Sequence, residues 1–176
     1  MNLIDTTYFI NDIWLPVDEI GNELTASITK YQKEILIKCL GFDLYAQFMA
    51  EIEGDYSVGS EWDYLYNGTT WTDSSGYLKE WVGFKNAEKE SLIAYWVYYK
   101  YLFNSSVYAG SSGGKISNSE NASNVDSREK QMYAYNKCIE LMNSMDDYIN
   151  HVNSVTPATY DNYEFTSLGY VNTWNI

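Results

Sequence analysis

Apolar and polar positions follow different rhythms along this chain, and the rhythm changes mark its parts. Leu24, Ile28, Tyr31, Ile35 and Cys39 recur at three- and four-residue steps, which predicts a helix with one buried face. Thr25 or Ser27 is placed to cap its start, and Gly41 stops it as a left-handed C-cap. A second, shorter helix starts from Asp43, gathers Leu44, Tyr45, Phe48, Met49 and Ile52 on one side, and ends at Gly54. Near the other end Met132, Tyr135, Ile139, Met142, Met145, Ile149 and Val152 keep helical spacing behind Asp126-Ser127-Arg128-Glu129, a capping box.

Between these lies a run with no polar face. From Leu92 to Phe103 every residue except Lys100 is apolar or aromatic, and a helix apolar all round is a covered helix. The run is too short to span a bilayer. It is therefore covered by the rest of the domain, by neighbouring subunits, or by both. The charged stretch from Gly83 onward reads as its exposed first turns.

The remaining segments lack helical period. Residues 1–23, with Pro16 and Gly21, read as an N-terminal arm. Residues 55–83 place Asn67-Gly68, a strong turn signal, between aromatic flanks and read as an inserted β-hairpin or loop, with Tyr77–Trp81 as a further short strand. Residues 104–124 are rich in Ser, Asn and Gly and read as a flexible loop. Residues 154–176 hold Tyr160, Tyr163, Phe165, Tyr170 and Trp174 among polar neighbours and read as an extended C-terminal tail that gains order by docking. The expected fold is mainly α: a small helical bundle over residues 24–153, an inserted hairpin, and extended N- and C-terminal arms.

Charge narrows the function. The formal net charge is −13, from 24 acidic and 11 basic residues, and Arg128 is the lone arginine. Gripping phosphate needs a basic stripe, so nucleic-acid binding by attraction is not expected. Residues 1–8 carry neither the charged nor the apolar region of a signal peptide, and the expectation is a chain made in the cytoplasm. Cys39 and Cys138 read as buried free thiols, with a disulfide between their helices as the alternative. Eighteen Tyr and six Trp suit an interface, since they give large contact area with few rotatable bonds. The coding bias of AT-rich genomes explains the tyrosines equally well.

No catalytic constellation emerges. His151, the one histidine, sits near the end of the last predicted helix, where a cation favours the helix dipole. Asp146-Asp147 point about 100° apart on a helix and form no dyad. Glu51, Glu53 and Asp55 lack the ligand order of a calcium loop. Gly110–Lys115 misses the phosphate-loop spacing because Ile116 follows the lysine. Glycosylation-type triplets at Asn67, Asn104 and Asn121 are chance matches in an Asn/Ser-rich chain. No enzyme, cofactor or metal site is expected.

Two motifs carry a resemblance. Leu40-Gly41-Phe42-Asp43-Leu44-Tyr45 forms a helix junction, and Gly83-Phe84-Lys85-Asn86-Ala87 leads towards Tyr95-Trp96-Val97-Tyr98-Tyr99-Lys100-Tyr101-Leu102. Over residues 24–153 the order of elements and these motifs resemble the head–tail connector (adaptor) proteins of tailed bacteriophages. The resemblance implies a virion protein at the head–tail interface that forms a ring of about twelve copies under the portal protein. Such a ring extends the DNA channel and meets a downstream tail or stopper protein; DNA passes through without specific binding, and no membrane is involved. On this view Trp62, Tyr66, Trp71 and Trp81 pack against the bundle or an adjacent subunit, and Tyr163, Phe165, Tyr170 and Trp174 anchor the tail on portal or neighbour. The alternative is an aromatic-rich binding module for glycans or peptides.

Overall fold

The longest helices of the computed structural model carry the apolar seams seen in the sequence. The structure describes residues 1–15, 17–54, 56–105, 107–110, 113–116, 127–157 and 159–171. Helix α1 spans Val17–Leu40, α2 Phe42–Glu53, α3 Glu61–Asn67, α4 Leu92–Ser105 and α5 Ser127–Val155. Two antiparallel hairpins complete the described residues: β1 (Thr69–Thr72) with β2 (Leu78–Trp81), and β3 (Val107–Gly110) with β4 (Gly113–Ile116). The fold is mainly α with a small inserted hairpin, as expected.

Helix α4 is the centre of the bundle. It packs most extensively on α5 and next on α1. Leu92 through Tyr98 are buried without a break, so the first half of the helix has no solvent face. The second half opens: Tyr99, Tyr101 and Leu102 are partly covered and Phe103 is exposed. Lys100 lies over the Trp96 ring at 4.8 Å and reaches Glu34 of α1 at 3.1 Å, keeping its charge at the boundary. The apolar face of α1 (Leu24, Ile28, Tyr31, Ile35, Cys39) is buried throughout, as are Ile139, Met142, Met145, Ile149 and Val152 of α5. Cys39 and Cys138 are free and buried, and burial pushes both thiols well above their ordinary pKa.

Several boundaries differ from the sequence reading. Helix α1 begins at Val17, so Thr25 lies inside it and its hydroxyl donates to Gly21 O instead of capping. Residues 61–67 are helical where a hairpin strand or extended loop was expected. Ser60 Oγ accepts from Asp63 N at 3.2 Å while Asp63 Oδ2 accepts from Gly59 N at 2.7 Å, a reciprocal cap that starts α3. Gly68 then ends the helix with φ +92, its N–H bonded to Tyr64 O, so Asn67-Gly68 is a C-cap and not a hairpin turn. The turn between β1 and β2 belongs to Asp73, whose Oδ1 accepts from Ser75 N and Tyr77 N, both at 2.9 Å.

Helix α4 likewise starts at Leu92 instead of Gly83. Asn86 organises the intervening loop: its amide donates to Val82 O and Glu90 O, and its carbonyl accepts from Glu90 N. Gly83, at φ +86, brings its backbone so close to Asn67 and Gly68 that a Cβ would lie 2.5 Å from their atoms. No other residue fits there. Of the expected flexible loop 104–124, the described residues 107–110 and 113–116 pair as β3–β4. Asp126 of the expected capping box and Asp55 of the acidic cluster lie outside the described residues.

The ends are extended arms, and both lie against their own bundle. Residues 1–15 contain two 3₁₀ turns (Thr6–Tyr8 and Asn11–Ile13) and bury Leu3, Ile4, Tyr8, Phe9, Ile13 and Leu15 in the common core. Gln32 holds the arm from beneath, accepting from Leu3 N at 2.7 Å and donating to Met1 O at 3.1 Å. The Tyr8 hydroxyl exchanges hydrogen bonds with both backbone groups of Asn86. The N-terminal arm is thus part of the core.

Candidate interaction surfaces

Aromatic side chains can serve an interface only if their faces are not already spent. Trp81, at the end of β2, is fully buried; its indole N–H donates to Leu65 O at 2.9 Å and its ring meets Phe84 edge-on at 5.3 Å. Tyr66 is buried between Phe48 and Tyr56. Trp62 is half-buried, with Phe48 at 6.4 Å and Tyr160 edge-on at 5.4 Å. Trp71 is half-buried against Tyr148 and stacks on His151 at 6.0 Å. All four therefore fasten α3 and the hairpin to the bundle of their own chain.

The tail aromatics divide. Tyr160 is buried, and its hydroxyl donates to Glu61 O at 2.6 Å beside Tyr148, which donates to Glu61 Oε2 at 2.9 Å. Burial first, then the neighbouring hydroxyl and carboxylate, raises the Tyr148 pKa far above its ordinary range. Tyr163 donates to Asp146 at 2.7 Å and stacks beside Phe165; burial and then the carboxylate raise its pKa strongly too. Both phenols stay neutral and act as struts. Tyr170 is 60% exposed, touched by Asn143 through its hydroxyl at 3.4 Å. Trp174 lies outside the described residues.

Backbone contacts hold the tail as firmly as its rings do. The N–H groups of Glu164 and Thr166 donate to Leu40 O and Lys38 O, carbonyls that the end of α1 leaves open. Gly41 sits under this contact at φ +77, where a Cβ would lie 2.8 Å from Glu164 Cβ. Farther along, the Asn136 side chain clips Val171, accepting from its N–H at 2.9 Å and donating to its carbonyl at 2.8 Å.

Besides Tyr170, several large apolar groups that the sequence analysis does not single out as contact residues are left exposed. One set of exposed apolar groups lies where the N-terminal arm crosses the start of α5. Tyr133 donates to Asp12 at 3.0 Å, Ile10 and Tyr133 line the same shallow pocket, and Trp14, next along the arm, is 62% exposed. A second set lies at the tip of the hairpin, with Tyr77 and Leu78 70% and 74% exposed. The hairpin leans on α5 near His151, so helix rise separates the two sets by roughly 25 Å along that helix. Phe42, on the first turn of α2, is exposed at the junction that the tail covers from one side.

Between the two sets the surface is polar. Lys137 bridges Glu90 at 3.2 Å and Glu140 at 2.8 Å; burial alone would lower its pKa, but the two carboxylates outweigh it and raise it. A shallow pocket of about 350 Å³ beside the hairpin is lined by Trp71, Asp73, Lys79, Asp147, Asn150 and His151. An apolar groove of about 400 Å³ opens between the end of α4 and the start of α5. Among the described residues, no group of His, Cys, Asp and Glu is arranged to hold a metal ion, and no helix is long and apolar enough to cross a membrane. Comparison with family models, curated proteins and solved structures finds no match to this chain.

Proposed function

We propose that the chain is a structural subunit of a ring, a head–tail connector of a tailed bacteriophage that extends the DNA channel below the portal. The observation that carries this reading is exposed apolar groups at two unlike places well apart along α5: Ile10, Trp14 and Tyr133 by the N-terminal arm, and Tyr77 and Leu78 at the hairpin tip. Two unlike sets of exposed groups favour head-to-tail contact, and head-to-tail contact closes into rings when the rotation permits. The sequence resemblance agrees with it. Its first motif is the α1–α2 junction around Gly41, and its second is the Asn86 loop that delivers α4 into the core. An acidic chain with few arginines suits a channel past which DNA slides without sticking.

The test is the native mass of this protein mixed with the portal protein encoded by the same genome. A portal complex carrying about a dozen added copies is expected. A bare portal ring beside a monomeric chain overturns the assignment.

A second reading has one specific observation in its favour. The pocket beside the hairpin sets the part of the half-buried Trp71 side chain that Tyr148 and His151 leave uncovered beside carboxylates, an amide and an imidazole, which is the equipment of a glycan or peptide site. Titration with glycans while following tryptophan emission separates the two: a saturable shift that disappears in Trp71→Ala supports the binding module.

A further inference from the structure

The groove between α4 and α5 is lined mostly by aromatic and apolar side chains. Tyr99 and Phe103 come from the open second half of α4, and Met132 and Tyr135 from the first turns of α5. Arg128, whose side chain ends in a planar cation of the kind that stacks on indoles, and Gln131 line the same groove. Val171 closes the remaining side. Its position is fixed by the two-way Asn136 clip and does not depend on side-chain packing alone.

We infer that this groove is an indole-binding site and that its occupant is Trp174 of the same chain. Val171 is pinned at the groove wall, and three residues of extended chain reach roughly 10 Å from it. That span covers the groove without asking the tail to cross the molecule. The residues after Val171 read Asn172-Thr173-Trp174-Asn175-Ile176, in which Trp174 is the one ring and lies nearer the groove wall than the terminal Ile176 along the chain. A single indole buries about 150–250 Å² when it finds an apolar slot, enough to decide where a short polar segment comes to rest. Of the other segments leading to this region, residues 117–126 offer only Ala122 and Val125 as apolar side chains and no ring, and Tyr108 belongs to β3, whose backbone is committed to pairing with β4. The occupant with the matching shape and chemistry is therefore Trp174. The inference stands independently of the connector reading, and it assigns the last indole to the chain's own bundle.

The experiment uses the full chain with ¹³C-methyl methionine. The Met132 methyl, identified by Met132→Leu, reports on the groove, while the buried Met142 and Met145 methyls report on the fold. In the unaltered protein an NOE is expected between the Met132 methyl and indole protons that are missing from Trp174→Ala. In that variant the Met132 signal should move away from its ring-shifted position while Met142 and Met145 stay in place. Three results overturn the inference: no such NOE, a Met132 signal that Trp174→Ala leaves unmoved, or an NOE that vanishes on dilution. The last would assign the groove to the tail of a second copy. If Met142 and Met145 also move in Trp174→Ala, the NOE in the unaltered chain decides the matter alone.

Discussion

The two arms of this molecule lack regular structure in similar measure, yet they are held by different physics. The N-terminal arm is held by burial: six large apolar side chains enter the core, and the polar contacts of Gln32 and Tyr8 satisfy what that burial would otherwise strand. The C-terminal tail beyond Tyr160 only partly buries Tyr163, Phe165 and Leu168 and is held mainly by hydrogen bonds. It serves the open carbonyls of α1 and takes the Asn136 clip, while Glu164, Thr166 and Tyr170 remain exposed. Burial is non-directional and cooperative with the core, whereas a peripheral backbone latch opens locally. The first arm should therefore leave only when the protein unfolds, and the second should be able to lift from an intact body.

Substitutions rank this contrast. The largest effect is expected from Phe9→Ala, which empties a site 1% exposed. It should cost about 3–5 kcal/mol in urea unfolding. Phe165→Ala, on the partly buried tail, should cost a small fraction of that, and equal costs would erase the distinction. Next comes Gln32→Ala, which leaves the buried Leu3 N–H and the Met1 carbonyl without their partner; about 1–3 kcal/mol of global stability should go. Asn136→Ala is expected to leave the melting temperature nearly unchanged while amide exchange over residues 163–171 accelerates. If exchange there still tracks global unfolding, the tail is core and not latch.

The smallest effect is a pH dependence at the start of the N-terminal arm. Asp5 accepts from the Thr7 hydroxyl and amide, and the hydroxyl bond above all holds its carboxyl below the usual range. A depressed folded pKa contributes stability above the unfolded value that fades as pH falls through the folded one. The stability gap between the unaltered chain and Asp5→Asn should thus be full at neutral pH and close below about pH 4. A gap that instead widens in acid would show the carboxylate to be a burden on the arm.

Much of the bundle was legible because helical period is a local signal. The seams of α1 and α5 follow the sequence closely, and the run from Leu92 to Tyr98 is covered as its composition requires. Local signals that compete with one another were harder. Asn67-Gly68 is a hairpin signature, yet Ser60 and Asp63 had already committed the preceding residues to a helix, which left the glycine to cap it. Gly83 followed by a charged run suggests an early start for α4, but the Asn86 side chain supplies the loop's hydrogen bonds and delays the helix to Leu92.

Surfaces were the least legible part. Trp62, Tyr66, Trp71 and Trp81 are expected to pack against the bundle or an adjacent subunit, and residue type alone does not choose between the two; in the structure they pack on their own bundle. Trp14 and Leu78 stand out only once neighbours are in place, because exposure is a tertiary property with no period to announce it. Backbone latches such as Glu164 on Leu40 leave no trace in residue type at all.

That latch also sets an order of events during synthesis. The corner at Gly41 leaves the ribosome long before Glu164 and Thr166 are translated, so Leu40 O and Lys38 O face water while the middle of the protein is being made. The corner must therefore hold its shape unaided, and the tail arrives as a late seal over a joint already formed. A nascent chain halted before residue 160 should expose this corner, and with it the flank of Phe42, to whatever surrounds the ribosome.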